Sequence, residues 1–285
     1  MALVAVLWIV AALSIMVTGL SYVVRQQIQV AATLRDQASG QAVGEAAVAL
    51  VLQQMLASNT RPVASAATTV EYGGVQVDVE AAPLSGWISL NTADAPLLAA
   101  LLQIAGGLNP PQAQQLAAAI VEWRSTAPPV DPTSAGGVLQ QPRLFESVED
   151  LLLLPGVDYP LYARIAPLLS ADLISGNPQV DPRAAPPEVL AVLAQGNLGR
   201  VAQYVAQRTS DPLADASGFS NAAAAAGGGS SRVYRMRARV PLDAGKILLL
   251  TRDVALGSAY STTAPWRVLR TDRQIVAPAA ASSAG

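Results

Sequence analysis

The side chains that could do chemistry in this 285-residue chain are mainly carboxylates and hydroxyls, because the sequence contains no histidine and no cysteine. Zinc sites with nitrogen or sulfur ligands, haem, iron–sulfur clusters, disulfides, Ser-His-Asp triads and Cys-His dyads are excluded on that ground. The metals that remain are oxygen-bound ones such as calcium or magnesium. Any metal site must therefore be built from oxygen ligands.

Two groups of oxygen-bearing residues could supply such ligands. Glu149 and Asp150 are adjacent, which places them on different faces of a helix, and Glu146 lies one turn before Asp150, a spacing equally typical of a solvated face. A membrane-tethered enzyme using these carboxylates is accordingly the weakest of three hypotheses. The second group lies in a Gly/Ser/Ala-rich loop and comprises Asp211, Asp215, Ser217 and Asn221. Calcium is the one cofactor that this loop leaves open, although the spacing matches no EF-hand and favours a solvated linker.

A basic row is predicted on a strand over 233–240. Arg235, Arg237 and Arg239 alternate with uncharged residues, so period-2 geometry puts all three guanidinium groups on one face. Interpreted as a functional feature, the row is a nucleic-acid or partner-contact stripe. The alternative, which we favour, is an ordinary solvent-exposed strand face that pairs with carboxylates of the acidic segment 62–231.

A long helix is predicted to begin the chain. The 23 residues from Ala2 to Val24 carry no charge, and a bilayer core needs about 20 apolar residues in a helix. We therefore predict that 2–24 spans a membrane and that the helix continues to 57. Gly40 and Gly44 indicate either close packing or mere tolerance of a weak position, and we favour tolerance. Membrane and assembly contacts are assigned to Leu3, Val4, Ala5, Leu7, Trp8, Ile9 and Leu13.

The rest of the sequence predicts a sheet interrupted by helices. A hairpin is expected at Gly73-Gly74, and Asn91 or Thr92 is expected to cap the first helix after it. The predicted fold class is α+β: a long N-terminal transmembrane helix packed on a small antiparallel sheet, with a large all-helical domain inserted into that sheet. The predicted segments are the helix 1–57, the first part of the sheet 58–90, the helical domain 91–208, a flexible linker 209–231, the second part of the sheet 232–276 and a disordered tail 277–285.

One stretch of the helical domain, from Val148 to Leu169, resembles a helix-hairpin-helix unit that turns at Pro155-Gly156. DNA-binding hairpins of this kind use two glycines to bring backbone amides to a phosphate. Here Asp158 takes the place of the second glycine and would repel the phosphate, and the surrounding segment is net negative. We therefore interpret the hairpin as a packing unit and expect no nucleic-acid partner. A membrane-anchored DNA-binding protein of the competence type is the second hypothesis.

An ordered set of short motifs runs through nearly the whole chain. It comprises Ala2–Val10, Arg25-Gln26-Gln27, Leu90-Asn91-Thr92-Ala93, Ala119–Arg124, Glu149–Val157 and Val189-Leu190. In this order the motifs resemble the minor pseudopilin K family of the type II secretion system (GspK). The resemblance implies a pilin-like fold and a non-enzymatic, single-pass protein of the bacterial inner membrane, with its C-terminal domain in the periplasm. It also implies assembly with the minor pseudopilins I and J and other secretion-system subunits at the tip of the pseudopilus, which initiates or caps the fibre for protein export across the outer membrane.

The same resemblance bears on the N-terminus and on metal binding. Most pseudopilins carry a glutamate at mature position 5, which the K family replaces; if Met1 aligns with the first mature residue, Ala5 takes that position and suits the first subunit of a fibre. The prepilin peptidase is a predicted partner if a leader precedes Met1. Some K-type proteins bind calcium in the helical domain, which makes Asp211, Asp215 and Asn221 weak candidates. A minor pilin of a type IV pilus is the alternative within this group of proteins.

Overall fold

The protein combines one long helix, a five-stranded antiparallel sheet and a helical region. The computed structural model describes residues 2–58, 61–125, 143–171, 179–211, 214, 216, 218–219, 232–257 and 265–276, and among the first 29 residues it describes the side chains of Val6, Leu7, Trp8 and Gln27. The prediction of a fold that mixes helices with an antiparallel sheet is confirmed. The predicted linker and tail lie largely outside the described residues.

Helix α1 spans Ala2–Ala57, which is 56 residues or about 84 Å at 1.5 Å per residue. Its second half packs on the sheet through buried apolar side chains at helical spacing, namely Ala47, Val48, Val51, Leu52 and Met55. In the described part of the chain, no helical stretch is both long and apolar enough to cross a membrane. The predicted span 2–24 consists mostly of residues whose side chains lie outside that part, and it stays a prediction.

The main sheet is antiparallel throughout and has five strands: β1 Ala66–Tyr72, β2 Val75–Pro83, β5 Val233–Pro241, β6 Ile247–Leu256 and β7 Trp266–Val276. They lie in the order β1-β2-β5-β6-β7 across the sheet. Gly73 and Gly74 connect β1 to β2 with φ of 60° and 80°, the positive values that a two-residue hairpin turn requires. Strands β2 and β5 lie far apart in the sequence but pair directly in the sheet.

Two glycines bring α1 close to the sheet. A Cβ atom on Gly44 would lie 3.0 Å from Val240 Cγ2 and 3.3 Å from Leu250 Cδ2, and one on Gly40 would collide with the side chain of Leu242. The interpretation of these glycines as tolerated weak positions is therefore wrong. They mark close approach of the helix to β5, β6 and the loop between them, a contact that a helix periodicity alone does not reveal.

The helical region lies between β2 and β5 in the sequence and has its own buried core. Its helices are α2 Ala95–Ile104, α3 Pro110–Ser125, α4 Tyr159–Ile165, α5 Pro187–Leu193 and α6 Leu198–Ser210. The region is not purely helical, because β4 (Leu169–Ser170) pairs in parallel with β3 (Ile88–Ser89). This short pairing connects the residues that follow α4 and the 3-10 turn Ala166–Leu168 to the segment that follows β2.

The helical region leaves and rejoins the sheet at neighbouring positions. Pro83, the last residue of β2, pairs with Tyr234, the second residue of β5, so the region is an insertion between two adjacent strands. Next to this point, Asp181 N donates a 2.8 Å hydrogen bond to Ser85 O. A third cluster of buried apolar residues fills the junction: Ala82, Leu84, Trp87, Val233 and Ala255.

The predicted cap of the first inserted helix is wrong by a few residues. Asp94 caps α2 by accepting a 2.9 Å hydrogen bond from Leu97 N. Asn91 instead donates from Nδ2 to Phe145 O at 2.9 Å and accepts from Phe145 N at 2.8 Å. It thereby satisfies both backbone groups of a buried residue 54 positions away, a long-range role that cap statistics cannot predict.

Candidate interaction surfaces

The first half of α1 presents apolar side chains that nothing in the described structure buries. Of the seven residues predicted to make membrane and assembly contacts, Leu7 is 67% and Trp8 73% exposed. Further along the helix, Val30 and Leu34 are also largely exposed. The side chains of Leu3, Val4, Ala5, Ile9 and Leu13 lie outside the described set. Exposed apolar residues recurring on one helix are typical of a surface that is covered in an assembly or a membrane.

The basic row does not form the exposed stripe that was predicted, because Arg235 is only 4% exposed. Arg235 makes a bidentate ion pair with Asp253 on β6, through Nε to Oδ1 at 2.7 Å and Nη2 to Oδ2 at 2.8 Å. Its guanidinium also lies 4.6 Å from the centre of the Trp87 ring. The physical reason is that the inserted region covers this end of β5, while α1 covers its other face.

The other two arginines differ from Arg235 and from each other. Arg237 is partly buried, 5.6 Å from the Trp87 ring centre; burial lowers its pKa, and the nearby carboxylate of Glu80 opposes that effect. Arg239 is exposed to solvent. The row therefore runs from the interior to the surface, and only Arg239 has the exposure expected of a stripe.

The predicted calcium ligands cannot be brought together from the described residues. Asp211 is exposed at the C-terminal end of α6, and Asp215, Ser217 and Asn221 lie outside the described residues. Within the described part of the chain, no three acidic side chains converge on a position that could hold a metal ion. Calcium binding stays a prediction.

The hairpin around Gly156 is a short capped turn. A 3-10 helix over Val148–Leu153 leads to Gly156, which has φ of 94°, and then to α4. The Asp158 carboxylate accepts a 2.9 Å hydrogen bond from Leu161 N. It therefore occupies the helix N-terminus at which a DNA phosphate would bind in the nucleic-acid-binding version of this motif.

Two of the three carboxylates considered for catalysis, those of Asp150 and Glu149, make structural interactions. Asp150 closes a capping box with Ser147 and also accepts from Glu146 N at 2.9 Å. Glu149 Oε1 accepts from Tyr162 OH at 3.1 Å and from Arg270 Nη2 at 2.9 Å. Burial alone would raise the pKa of Glu149, but hydrogen bonding and Arg270 outweigh burial, so the pKa lies below its ordinary value.

Tyr162 should titrate far above an ordinary tyrosine. Burial, together with the charge and the hydrogen bond of Glu149, raises its pKa to about 12. Because the folded-state pKa is the higher one, the proton favours the folded state, and this contribution to stability is lost as the pH rises from about 10 to about 12. The difference in tyrosinate absorbance between the unmodified protein and Tyr162→Phe should show a titration centred near that value. Glu149→Gln should move the pKa of Tyr162 toward the ordinary range. A difference titration that is already complete near pH 10 would contradict the raised pKa of Tyr162.

Sequence reasoning missed a groove in the inserted region. It encloses about 790 Å³ and lies between the ends of α2, α4, α5 and α6 and strand β5. Its polar lining includes Arg164, Glu188 and Arg237. The sequence signals Arg237 through the basic row, but it holds no signal that α4 would bring Arg164 to the same cavity.

Fold and surfaces define a class: an α+β protein in which a long helix packs on an antiparallel sheet that carries a helical insertion. No family model and no curated protein matches the sequence. One similar solved structure is described as the GspK-GspI-GspJ complex from the type 2 secretion system of enterotoxigenic Escherichia coli, with 15% identity over 88% of this chain and 98% of that chain, and a TM-score of 0.48. An identity and a TM-score of this size assign neither a family nor a function to the chain.

Proposed function

We propose that the chain is a non-enzymatic minor pseudopilin of a type II secretion system. The observation that carries the proposal is the division of α1: apolar residues from Ala47 to Met55 are buried on the sheet, while Leu7, Trp8, Val30 and Leu34 earlier in the helix are exposed. A helix that packs on its own sheet with one part and leaves another part exposed is suited to packing against equivalent helices in a fibre. The ordered motifs from Ala2 to Leu190 support the same assignment.

In this proposal the first half of α1 resides in the bacterial inner membrane and the remainder of the chain in the periplasm. On assembly, the exposed apolar positions exchange lipid for the helices of minor pseudopilins I and J. The bulky inserted region suits a subunit at the tip, where it would initiate or cap the fibre for protein export. Calcium near Asp211 and processing by a prepilin peptidase belong to the same proposal.

Co-purification from detergent micelles tests this function. The full chain, expressed with its cognate pseudopilins I and J, should be recovered as a complex. Leu34→Glu places a charge on the exposed part of α1 and should reduce recovery about tenfold or more. Leu153→Glu is the matched control, because Leu153 is exposed to a similar degree but lies in the inserted region. No complex with cognate partners, or equal damage from the control, would count against the proposal.

A shorter soluble fragment for the same test must retain the second half of α1. A fragment that begins at Ser58 would lose the buried residues from Ala47 to Met55, which cover one face of β5. We expect such a fragment to aggregate or remain unfolded, whereas one that begins before Gly40 keeps the helix–sheet contact.

A further inference from the structure

The groove in the inserted region combines an apolar wall with an exposed apolar rim. Ile104, Leu168 and Val201 line it, and the last two are each only 6% exposed. At the mouth stands Leu198, which is 69% exposed although it belongs to the same lining. Through Leu198, apolar surface continues from the cavity onto the outside of the protein, as it does in many ligand-binding and protein-interaction grooves.

The polar side of the groove has more donors than the protein satisfies. Among the described residues, the guanidinium groups of Arg164 and Arg237 make no hydrogen bond and lie beyond 4 Å from any carboxylate oxygen. Glu188 also lines the groove but pairs with neither of them at that distance. The cross-strand neighbour of Arg237, Glu80, accepts from the Ser65 hydroxyl.

A guanidinium group without a hydrogen-bond partner is unusual among the buried and partly buried arginines in the described part of the chain. Arg235 has its carboxylate partner, and Arg208 donates to the carbonyl oxygen of Ala185 at 2.7 Å. Arg124 donates to Leu90 O at 2.8 Å. Partly buried donors are normally satisfied, because an unmet hydrogen bond in a poorly solvated place is costly. Among these four arginines, Arg237 is the one whose guanidinium has no hydrogen-bond partner on the described part of the chain; its neighbours there are the Trp87 ring, 5.6 Å away, and the carboxylate of Glu80.

We propose that this groove binds an extended segment of a partner protein in which one acidic side chain is flanked by apolar ones. The acid would accept charge-assisted hydrogen bonds from Arg237 and Arg164, and its apolar neighbours would pack on Ile104, Leu168 and the rim at Leu198. The lining residues carry two guanidinium groups and one carboxylate, so the lining itself is positive by one charge and complements such a segment. The proposal concerns a surface separate from α1 and does not depend on a role in a fibre.

A peptide array tests the proposal with the full chain in detergent micelles. The probes are immobilised 12-residue peptides with one Asp or Glu among apolar positions, each beside a twin in which the acid is replaced by its amide. We expect a subset of the acidic peptides to bind and their twins to bind about tenfold more weakly, the ratio that corresponds to about 1.4 kcal/mol. Binding should also weaken as the salt concentration rises.

Three variants and one control locate the binding. Arg237→Gln and Arg164→Gln should each weaken the selected peptides by about fivefold or more, and Leu198→Ser should weaken them without changing the acid-to-amide ratio. Arg164 and Leu198 are exposed, so their variants keep the test valid if Arg237→Gln fails to fold. Arg239→Gln is the control, because Arg239 lies on the same strand outside the groove lining.

Several outcomes would overturn the proposal. They are the absence of any binding peptide, equal binding of the amide twins, or equal weakening by Arg239→Gln. If peptides fail but phosphatidylglycerol vesicles bind in a manner that depends on Arg164 and Arg237, the occupant is a lipid headgroup and the proposed protein segment is wrong.

Discussion

Replacing Asp253 by asparagine should destabilise the protein by about 3–5 kcal/mol, the range for removing one partner of a buried ion pair. The substitution keeps the shape of the side chain and one acceptor oxygen but removes the negative charge. Arg235 is 4% exposed, and its other polar contact in the described structure is the Leu169 carbonyl oxygen at 3.4 Å. The guanidinium charge would therefore stay buried without compensation.

Urea unfolding followed by tryptophan fluorescence measures this effect, since Trp87 lies against the pair. Glu149→Gln is the matched control: it breaks the Arg270–Glu149 ion pair, whose side chains are 31% and 51% exposed, and should cost less than about 1 kcal/mol. The double variant Arg235→Met with Asp253→Leu should recover most of the loss, because it removes both charges. A change below about 1 kcal/mol for Asp253→Asn would show that the pair is solvated and that the inserted region does not seal it.

Gly86→Ala should be strongly destabilising although it adds only a single methyl group. A Cβ atom at this buried position would collide with the carbonyl carbon and oxygen of Ala184 and lie 2.6 Å from Ala185 N. Backbone cannot rotate away as a side chain can, so we expect a loss of about 3 kcal/mol, the upper end of the usual range for overpacking. The damage should concentrate at the junction, because Ser85 O accepts the hydrogen bond of Asp181 N beside it.

Two measurements test this prediction: hydrogen exchange of the Asp181 amide, which should become faster, and the midpoint of urea unfolding, which should fall. Gly199→Ala is the control, since the nearest atom to its new Cβ would be Asn197 Oδ1 at 3.5 Å. Because alanine is favoured over glycine within helices, that variant should be as stable as the parent or slightly more so. Normal protection of Asp181 in Gly86→Ala would mean that Ala184 and Ala185 can shift at little cost.

Local patterns predicted much of the fold, because the relevant physics acts over a few residues. The absence of proline and the apolar spacing indicate the helix that α1 forms, and Gly73-Gly74 indicates the turn between β1 and β2. The pairing of β2 with β5 follows from the need of separated strands for partners. The two-residue β3–β4 pairing has no such pattern, since strands this short lack a detectable period.

The candidate surfaces were less predictable, because alternation tells which residues share a face but not what covers that face. Arg235, Arg237 and Arg239 do alternate, yet the inserted region buries the first and leaves the last exposed. The hydrogen bonds between Asn91 and Phe145 depend on contacts between distant segments. The same is true of the placement of Arg164 and Arg237 in one groove. No spacing in the sequence encodes those contacts.

The adjacency of Pro83 and Tyr234 has an evolutionary consequence. Partners in an antiparallel pair are about 5 Å apart, so the whole inserted region could be exchanged for a tight turn without moving either strand. What would remain is a simple up-and-down meander in which every strand pairs with its successor. An ancestor of that kind could acquire the insertion in one event at a single hairpin tip. In the bare meander the side chains of Arg235 and Asp253 would face water, so the burial of this ion pair depends on the inserted region.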